Sequence, residues 1–452
     1  MDLIEAVKAA GVAGAGGAGF PTHIKLSAKA DCLIINAVEC EPLIETDKYL
    51  TRTFPDKIVS ATDLVANHIG AARRVLALKG KYAAEIAALK GAIAKAGSSI
   101  EIFELPTFYP AGDEQMMVRL ICDVTVPERG IPLDVGVVVD NVGTMLNIFD
   151  AMEGVPVTEK YLSVVGEVEK PIMLRVPIGT PLTECIEMAH PKFGDYGIVL
   201  GGPMMGKVYT GGAKAIESLS VTKTTGNIIV LPPDHYLIRH AAKPINTIKA
   251  QTRSACIQCR MCTDLCPRYL IGHQIRPHLV MRNLFRESLI TDNAEYKQAF
   301  GDAVNCCDCG VCEMFSCPMG LSPRKVNGYI KGQLRERGIQ VERNMNPTAR
   351  PGLSTRKVPT DRLAARLGLM DYYGLHAKEC QTLTPQTVMI PFRQHIGKPA
   401  VPVKQAGDTI KKGELLASAA EGAPSINIHA SISGLIVKLD ETGAVISRSK
   451  EE

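Results

Sequence analysis

The chain has 452 residues, 46% hydrophobic and 22% charged, with a formal net charge of +4. That length suits three or four globular domains, each with its own core. No apolar run approaches the roughly 20 residues of a membrane helix, and no secretory signal is visible. The lack of Trp and the 5% aromatic content argue against a surface that stacks nucleic-acid bases, so neither a membrane span nor a nucleic-acid partner is expected.

In chain order, residues 1–10 read as a short amphipathic helix that packs before the first loop, with a docking or encapsulation tag as the lesser reading. A glycine loop follows, Gly14-Ala-Gly16-Gly17-Ala-Gly19-Phe20-Pro21-Thr22-His23-Ile24-Lys25. Closely spaced glycines let backbone N–H groups face a phosphate because no Cβ blocks the approach, and Lys25 supplies a neutralising charge. The loop is neither the spaced dinucleotide fingerprint nor a Walker loop; by its glycines alone it reads equally as a hinge. Strand-like runs at 33–36, 75–78 and 135–140 alternate with helical periodicity at 58–72, at 82–96 and from about Thr144. Residues 1–155 are therefore expected to form an α/β domain with both sheet faces covered.

Residues 156–235 become short, β-branched and punctuated by Gly and Pro, with Gly201-Gly-Pro-Met-Met-Gly206 as a turn; a small β-rich domain is expected. Residues 245–340 hold the cysteine module, with a helical spacer at about 271–286. Residues 341–385 read as an Arg/Pro-rich linker with one short helix, and residues 386–440 as β again.

The cysteine module carries the most specific signal. One run is Cys256-x2-Cys259-x2-Cys262-x3-Cys266-Pro267, and the other is Cys306-Cys307-Asp308-Cys309-x2-Cys312-x4-Cys317-Pro318. Three cysteines at x2 spacing plus a Cys-Pro spell a ferredoxin-like pair of 4Fe–4S clusters, in which the fourth cysteine of each run reaches the other cluster. On that logic Cys256, Cys259, Cys262 and Cys317 hold one cluster, and Cys266, Cys306, Cys309 and Cys312 hold the second. The x4 spacing before Cys317 and the extra thiol Cys307 depart from the pattern and leave the register of the second site open. Zinc also uses Cys-x2-Cys pairs, but it gains nothing from a third cysteine or a terminal Cys-Pro. Cys32, Cys40, Cys122, Cys185 and Cys380 read as small buried apolar residues. From Arg239 to Arg366 there are 21 Lys or Arg against 10 Asp or Glu, a surplus that offsets thiolate-ligated clusters.

Four ordered motifs carry a family resemblance. The glycine string, Ile35-Asn36-Ala37-Val38-Glu39-Cys40-Glu41-Pro42, Tyr109-Pro-Ala-Gly112-Asp-Glu114-Gln115 and Val139-Asp140-Asn141-Val142-Gly143-Thr144 resemble the flavin-binding segments of two subunits. These are the NADH-binding subunit of respiratory complex I and the C subunit of the Rnf electron-transport complex. The resemblance implies FMN against Gly16, Gly17 and Gly19, with Lys25, Asn36, Glu39, Asn141 and Thr144 around it, and NADH near Glu41, Tyr109 and Glu114. Val38 stands where the complex I subunit typically has an acidic residue, so that contact is not carried over. Residues 160–232 resemble a soluble-ligand-binding β-grasp domain. The tail, with His395-Ile-Gly-Lys-Pro and Ala406-Gly-Asp-Thr-Ile-Lys-Lys-Gly413, resembles a barrel-sandwich hybrid; no Lys lies between Lys412 and Lys438 to serve as a carrier arm.

This order, a multidomain α/β arrangement of flavin domain, β-grasp, two-cluster ferredoxin-like helical domain and sandwich, is similar to that of the cobalamin reductases of propanediol-utilisation microcompartments. The resemblance implies electron transfer from NADH through FMN and two 4Fe–4S clusters to cob(III)alamin and cob(II)alamin in coenzyme B12 recycling. It requires no acid–base or nucleophilic catalytic residue. It also implies a cytoplasmic location inside a microcompartment, with a cobalamin adenosyltransferase and a shell protein as partners. The alternative is an Rnf C-like NADH-oxidising subunit that reduces a protein partner.

Overall fold

The structure, a computed structural model, describes residues 2–377 and 379–448; Met1 of the expected first helix lies outside them. Strands Glu101–Leu105, Arg73–Lys79, Cys32–Asn36 and Val137–Asn141 form, in that spatial order, a wholly parallel sheet. Alternate residues face opposite ways. Leu33, Ile35, Leu76 and Leu78 join one core under helices Pro55–Ile69, Ala83–Ala96 and Val142–Met152. Cys32, Ile34, Val75 and Ala77 join another with helix Glu114–Cys122. Burial on both faces explains why the central strands, Cys32–Asn36 and Val137–Asn141 above all, read as apolar runs, while the edge strand Glu101–Leu105 keeps exposed glutamates. Two of the helices end where Gly70 and Gly97 turn left-handed, at φ 79° and 60°, a conformation that costs Gly little.

Cys32–Asn36 sits between the strand that follows it and one from about a hundred residues later, so chain order reverses at its carboxyl end. Asn36 and Asn141 are direct neighbours there. Such a reversal opens a crevice outside the strand ends, the usual place for a ligand in an open α/β sheet.

The second sheet has six strands in the order Cys380–Thr382, Ile172–Pro177, Glu159–Gly166, Asn227–Leu231, Gly197–Leu200 and Lys207–Tyr209. Its first strand comes from the stretch expected to be a linker. That expectation is corrected: residues 341–385 also carry helices Thr360–Arg366 and Met370–Tyr373, and a strand, Val358–Pro359, paired with Phe108–Tyr109 of the flavin domain.

The cysteine module is helical around a core that includes Val280, Leu284, Phe300, Val326 and Ile330. Its expected spacer helix is shorter, Pro277–Asn283, because the residue before a proline is pushed out of the helical region; Arg276 is at φ −130°, ψ 77°. Two small antiparallel sheets enclose the C-terminal core of Val388, Ile390, Leu416, Ile428, Ile436 and Ile446. Of the cysteines expected to be buried, Cys32 and Cys185 are, whereas Cys40, Cys122 and Cys380 are half-buried. Among the described residues no helix is long and apolar enough to cross a membrane.

Candidate functional site

The glycine loop lies on the carboxyl end of the parallel sheet. Gly14 N–H donates to Phe20 O at 2.9 Å and closes the loop, while Ala15 N–H donates to buried Thr144 Oγ1 at 3.0 Å. A Cβ on Gly16 would fall 2.9 Å from the Asn141 side chain, and Gly19, at φ +72°, is pressed against Thr224 and Gln394; Gly17 is exposed. Lys25 Nζ donates to Val139 O at 2.8 Å and lies 3.6 Å from Asp140. Although burial opposes it, the Asp140 and Glu114 charges raise the Lys25 pKa and keep it cationic. Asn36 bridges Gly112 O and Val38 N at 3.0 Å each.

Glu39, at φ 42°, accepts from the N–H groups of Asp47 and Lys48 at 2.6 and 3.2 Å. Asp47 in turn accepts from Asn141 Nδ2 at 2.8 Å, so Glu39, Asp47 and Asn141 form one network. Asp47 is not legible as a site residue in the sequence, since no motif surrounds it. Burial pushes the Glu39 carboxyl up to about 8, against Lys48. Glu39 Oε1 and Asp140 Oδ2 are buried without hydrogen-bond partners. Orphaned acceptors beside an exposed glycine pair and a lysine fit a hydroxyl-rich chain ending in phosphate, the chemistry of FMN.

The three expected NADH residues separate. Glu114 is exposed at the start of its helix. Glu41 accepts from Met204 N–H at 2.7 Å in the β-grasp turn, and burial pushes it up to about 7; a Cβ on Gly202 would collide with its carboxylate. Tyr109, buried, donates its hydroxyl to Cys309 O at 2.7 Å. Glu41 and Tyr109 thus join the flavin domain to the β-grasp and cysteine domains.

The cysteines surround two cavities. Cys256, Cys259, Cys262 and Cys317 line one. Cys266, Cys306, Cys309 and Cys312 line the other, together with Cys307. Each cavity therefore takes one wall from the opposite run. The two loops share a backbone course: Gln258 and Asp308 are left-handed at φ 57° and 63°, and Arg260 and Gly310 at φ 69° and 77°. Successive N–H groups in such turns form concavities that favour anionic clusters. Around Cys312 the chain makes a π-helical turn, Val311–Ser316, which absorbs the extra residue of the x4 spacing. Among the described residues no three His, Cys, Asp or Glu side chains come close enough to hold one ion, whereas a cubane needs its four sulfurs spread around four irons. The residues fit a cluster in each cavity. Arg268 pairs bidentately with Asp113, at 2.5 and 2.9 Å, and fastens the second cavity to the flavin domain; Asp113 stands in the Tyr109–Gln115 motif, but nothing there announces Arg268 as its partner.

Residues 7–150 match the Nuo51 FMN-binding domain, 161–207 the SLBB domain, 255–322 a 4Fe-4S dicluster domain and 376–451 the RnfC barrel sandwich hybrid domain. Cobalamin reductase PduS of Citrobacter freundii is 38% identical over 98% of this chain and 96% of its own length. The chain belongs to the PduS family. PduS of Salmonella typhimurium is likewise 38% identical, over 99% of this chain and 96% of its own length. The C subunit of the Na(+)-translocating ferredoxin:NAD(+) oxidoreductase complex of Acetobacterium woodii is 32% identical over 58% of this chain and 56% of its own length. As a PduS-family chain with flavin and iron–sulfur domains, the protein is an oxidoreductase.

Proposed function

We propose that the protein is an NADH-dependent cobalamin reductase that serves coenzyme B12 recycling. Gly16, Gly17, Gly19, Lys25, Asn36, Glu39, Asn141 and Thr144 would hold FMN. Cys266, Cys306, Cys309 and Cys312 would hold one 4Fe–4S cluster, and Cys256, Cys259, Cys262 and Cys317 the other. When bound, these groups supply the exchange between paired electrons and single ones.

The chain's own residues support one order of the centres. Tyr109 and the Arg268–Asp113 pair tie the cavity of Cys266 and Cys309 to the flavin domain. Exposed Cys259 supports the other cavity as the exit. Glu114 remains the proposed NADH contact, because Glu41 and Tyr109 are engaged in the joint. The adenosyltransferase and shell partners, and the microcompartment location, rest on the family resemblance.

The observation that carries this reading is the end-to-end likeness to a cobalamin reductase. Its test is anaerobic purification with iron, sulfide and flavin analysis, followed by NADH-dependent reduction of aquacobalamin in an optical assay. About eight iron and eight sulfide per chain are expected, with corrinoid reduction that requires the flavin. Zinc in place of iron would end the proposal. NADH oxidation with dyes but not with corrinoid would favour the Rnf C-like alternative.

A further inference from the structure

A cavity of about 220 Å³ lies between the flavin and β-grasp domains, and none of residues 14–25 of the glycine loop lines it. Its floor is the helix Val142–Met152, through Gly143, Leu146, Asn147 and Asp150. That i, i+3, i+4, i+7 spacing is a single helix face, and Thr144, which holds the loop, is not on it. Phe54 and Tyr161 form an aromatic wall, their rings 5.5 Å apart.

The charges in the wall are unequal in their partnerships. Lys57 pairs with Asp150 at 2.7 Å, and Arg175 donates to Glu159 at 2.7 Å. Lys160 is different. It is 8% exposed and lines the cavity, and its ammonium has no hydrogen bond or ion pair among the described residues. The carboxylate acting on it most is that of Asp47, which is already engaged by Asn141. A cation in such a confined, poorly solvated place favours an anionic partner, and burial lowers the Lys160 pKa to about 8.

We propose that this cavity binds a small organic carboxylate, with its anionic end on Lys160 and its apolar body against Phe54, Leu146 and Tyr161. One uncompensated positive charge matches a monoanion. Pockets for whole cofactors and drug-sized ligands run from about 300 Å³ upward, so the space suits a compact acid rather than a dinucleotide. The inference rests on the cavity and does not depend on the redox assignment.

The test is calorimetric titration of the anaerobically purified holoenzyme with benzoate, with benzamide as the neutral control and inorganic phosphate as the rival anion. Saturable binding of benzoate, but not of benzamide, is expected. Lys160→Met should weaken it about 10- to 100-fold, the loss of a charge-assisted hydrogen bond, without lowering the melting temperature, because an unpaired buried charge is removed. Leu146→Phe, which fills the cavity and keeps Lys160, should abolish binding at unchanged iron content, so the idea stays testable if Lys160→Met fails to fold. Preferential binding of phosphate would overturn the carboxylate assignment. So would equal binding of benzoate and benzamide, undiminished benzoate binding in either variant, or a Lys160→Met protein that folds but melts several degrees lower.

Discussion

Cys306 and Cys307 are neighbours that both line the second cavity, so five thiols face a site that needs four. Cys307 lies beside Cys309 and Arg268, which in that order lower its thiol to about 7. Cys306 keeps the x2 spacing and the backbone course of Cys256 in the first loop. Replacing Cys307 with Ala should therefore leave iron and sulfide unchanged, whereas Cys306→Ser and Cys309→Ser should each lose about half of both, by colorimetric assay and electron paramagnetic resonance. Retention in Cys306→Ser with loss in Cys307→Ala would move the ligand by one position. The cysteine sets are legible in the sequence because ligand spacing is a local property of the chain. The roles of Glu41 and Tyr109 are not, because their partners Met204 and Cys309 stand 163 and 200 positions away. Tyr109→Phe should accordingly cost about 1 kcal/mol of stability in denaturant titration and leave the NADH KM unchanged. A raised KM would return Tyr109 to the nucleotide.

At the scale of elements, the π-helical turn Val311–Ser316 joins the two cavities, with Cys312 in one and Cys317 just beyond its end in the other. Glu313 fixes this turn. Its carboxylate meets His240 Nε2 at 2.9 Å and accepts from Lys325 N–H at 3.1 Å, and both Glu313 and His240 are buried. Glu313→Ala leaves buried partners uncompensated and should cost about 3 kcal/mol in denaturant titration, with iron lost from both sites rather than one. Loss from the second site alone would mean that the turn does not set Cys317. The x4 spacing announces an irregularity here but not its form, since an extra residue fits a bulge, a loop or a π-turn equally well. Three of the four parallel strands are legible to within about two residues because their apolar runs are continuous, whereas the edge strand Glu101–Leu105, with its two exposed glutamates, has no such run. The 341–385 stretch passes for a linker because its strands are two and three residues long and gain their meaning only from the sheets they join.

At the scale of the molecule, three domains meet at one buried lysine. Lys223 Nζ of the β-grasp domain donates to Gly11 O of the flavin domain at 2.5 Å and to Asn427 O of the sandwich at 2.9 Å. Gly11, at φ +67°, is needed there because a Cβ would collide with Asn427 O. A neutral amine has two N–H groups for two carbonyls, and burial lowers the Lys223 pKa from 10.5 to about 7. Between those values the folded chain binds fewer protons than the unfolded one, so stability rises with pH across the window and its loss is complete below it. His429, in the same joint, is pushed from 6.5 to about 4 by burial, with Lys223 adding; its neutral form stabilises above 6.5, and that stability falls away toward 4. The two act in one direction, so the melting temperature should decline as pH drops from 10 to 5. Lys223→Met should lower stability by about 1–3 kcal/mol at pH 9 through two undonated carbonyls and flatten the slope above pH 7. His429→Gln should flatten only the slope below 6.5. Calorimetric scans of the three proteins across this range decide the matter: an unchanged slope above pH 7 in Lys223→Met would mean that the amine stays charged and that the joint is held by some other group.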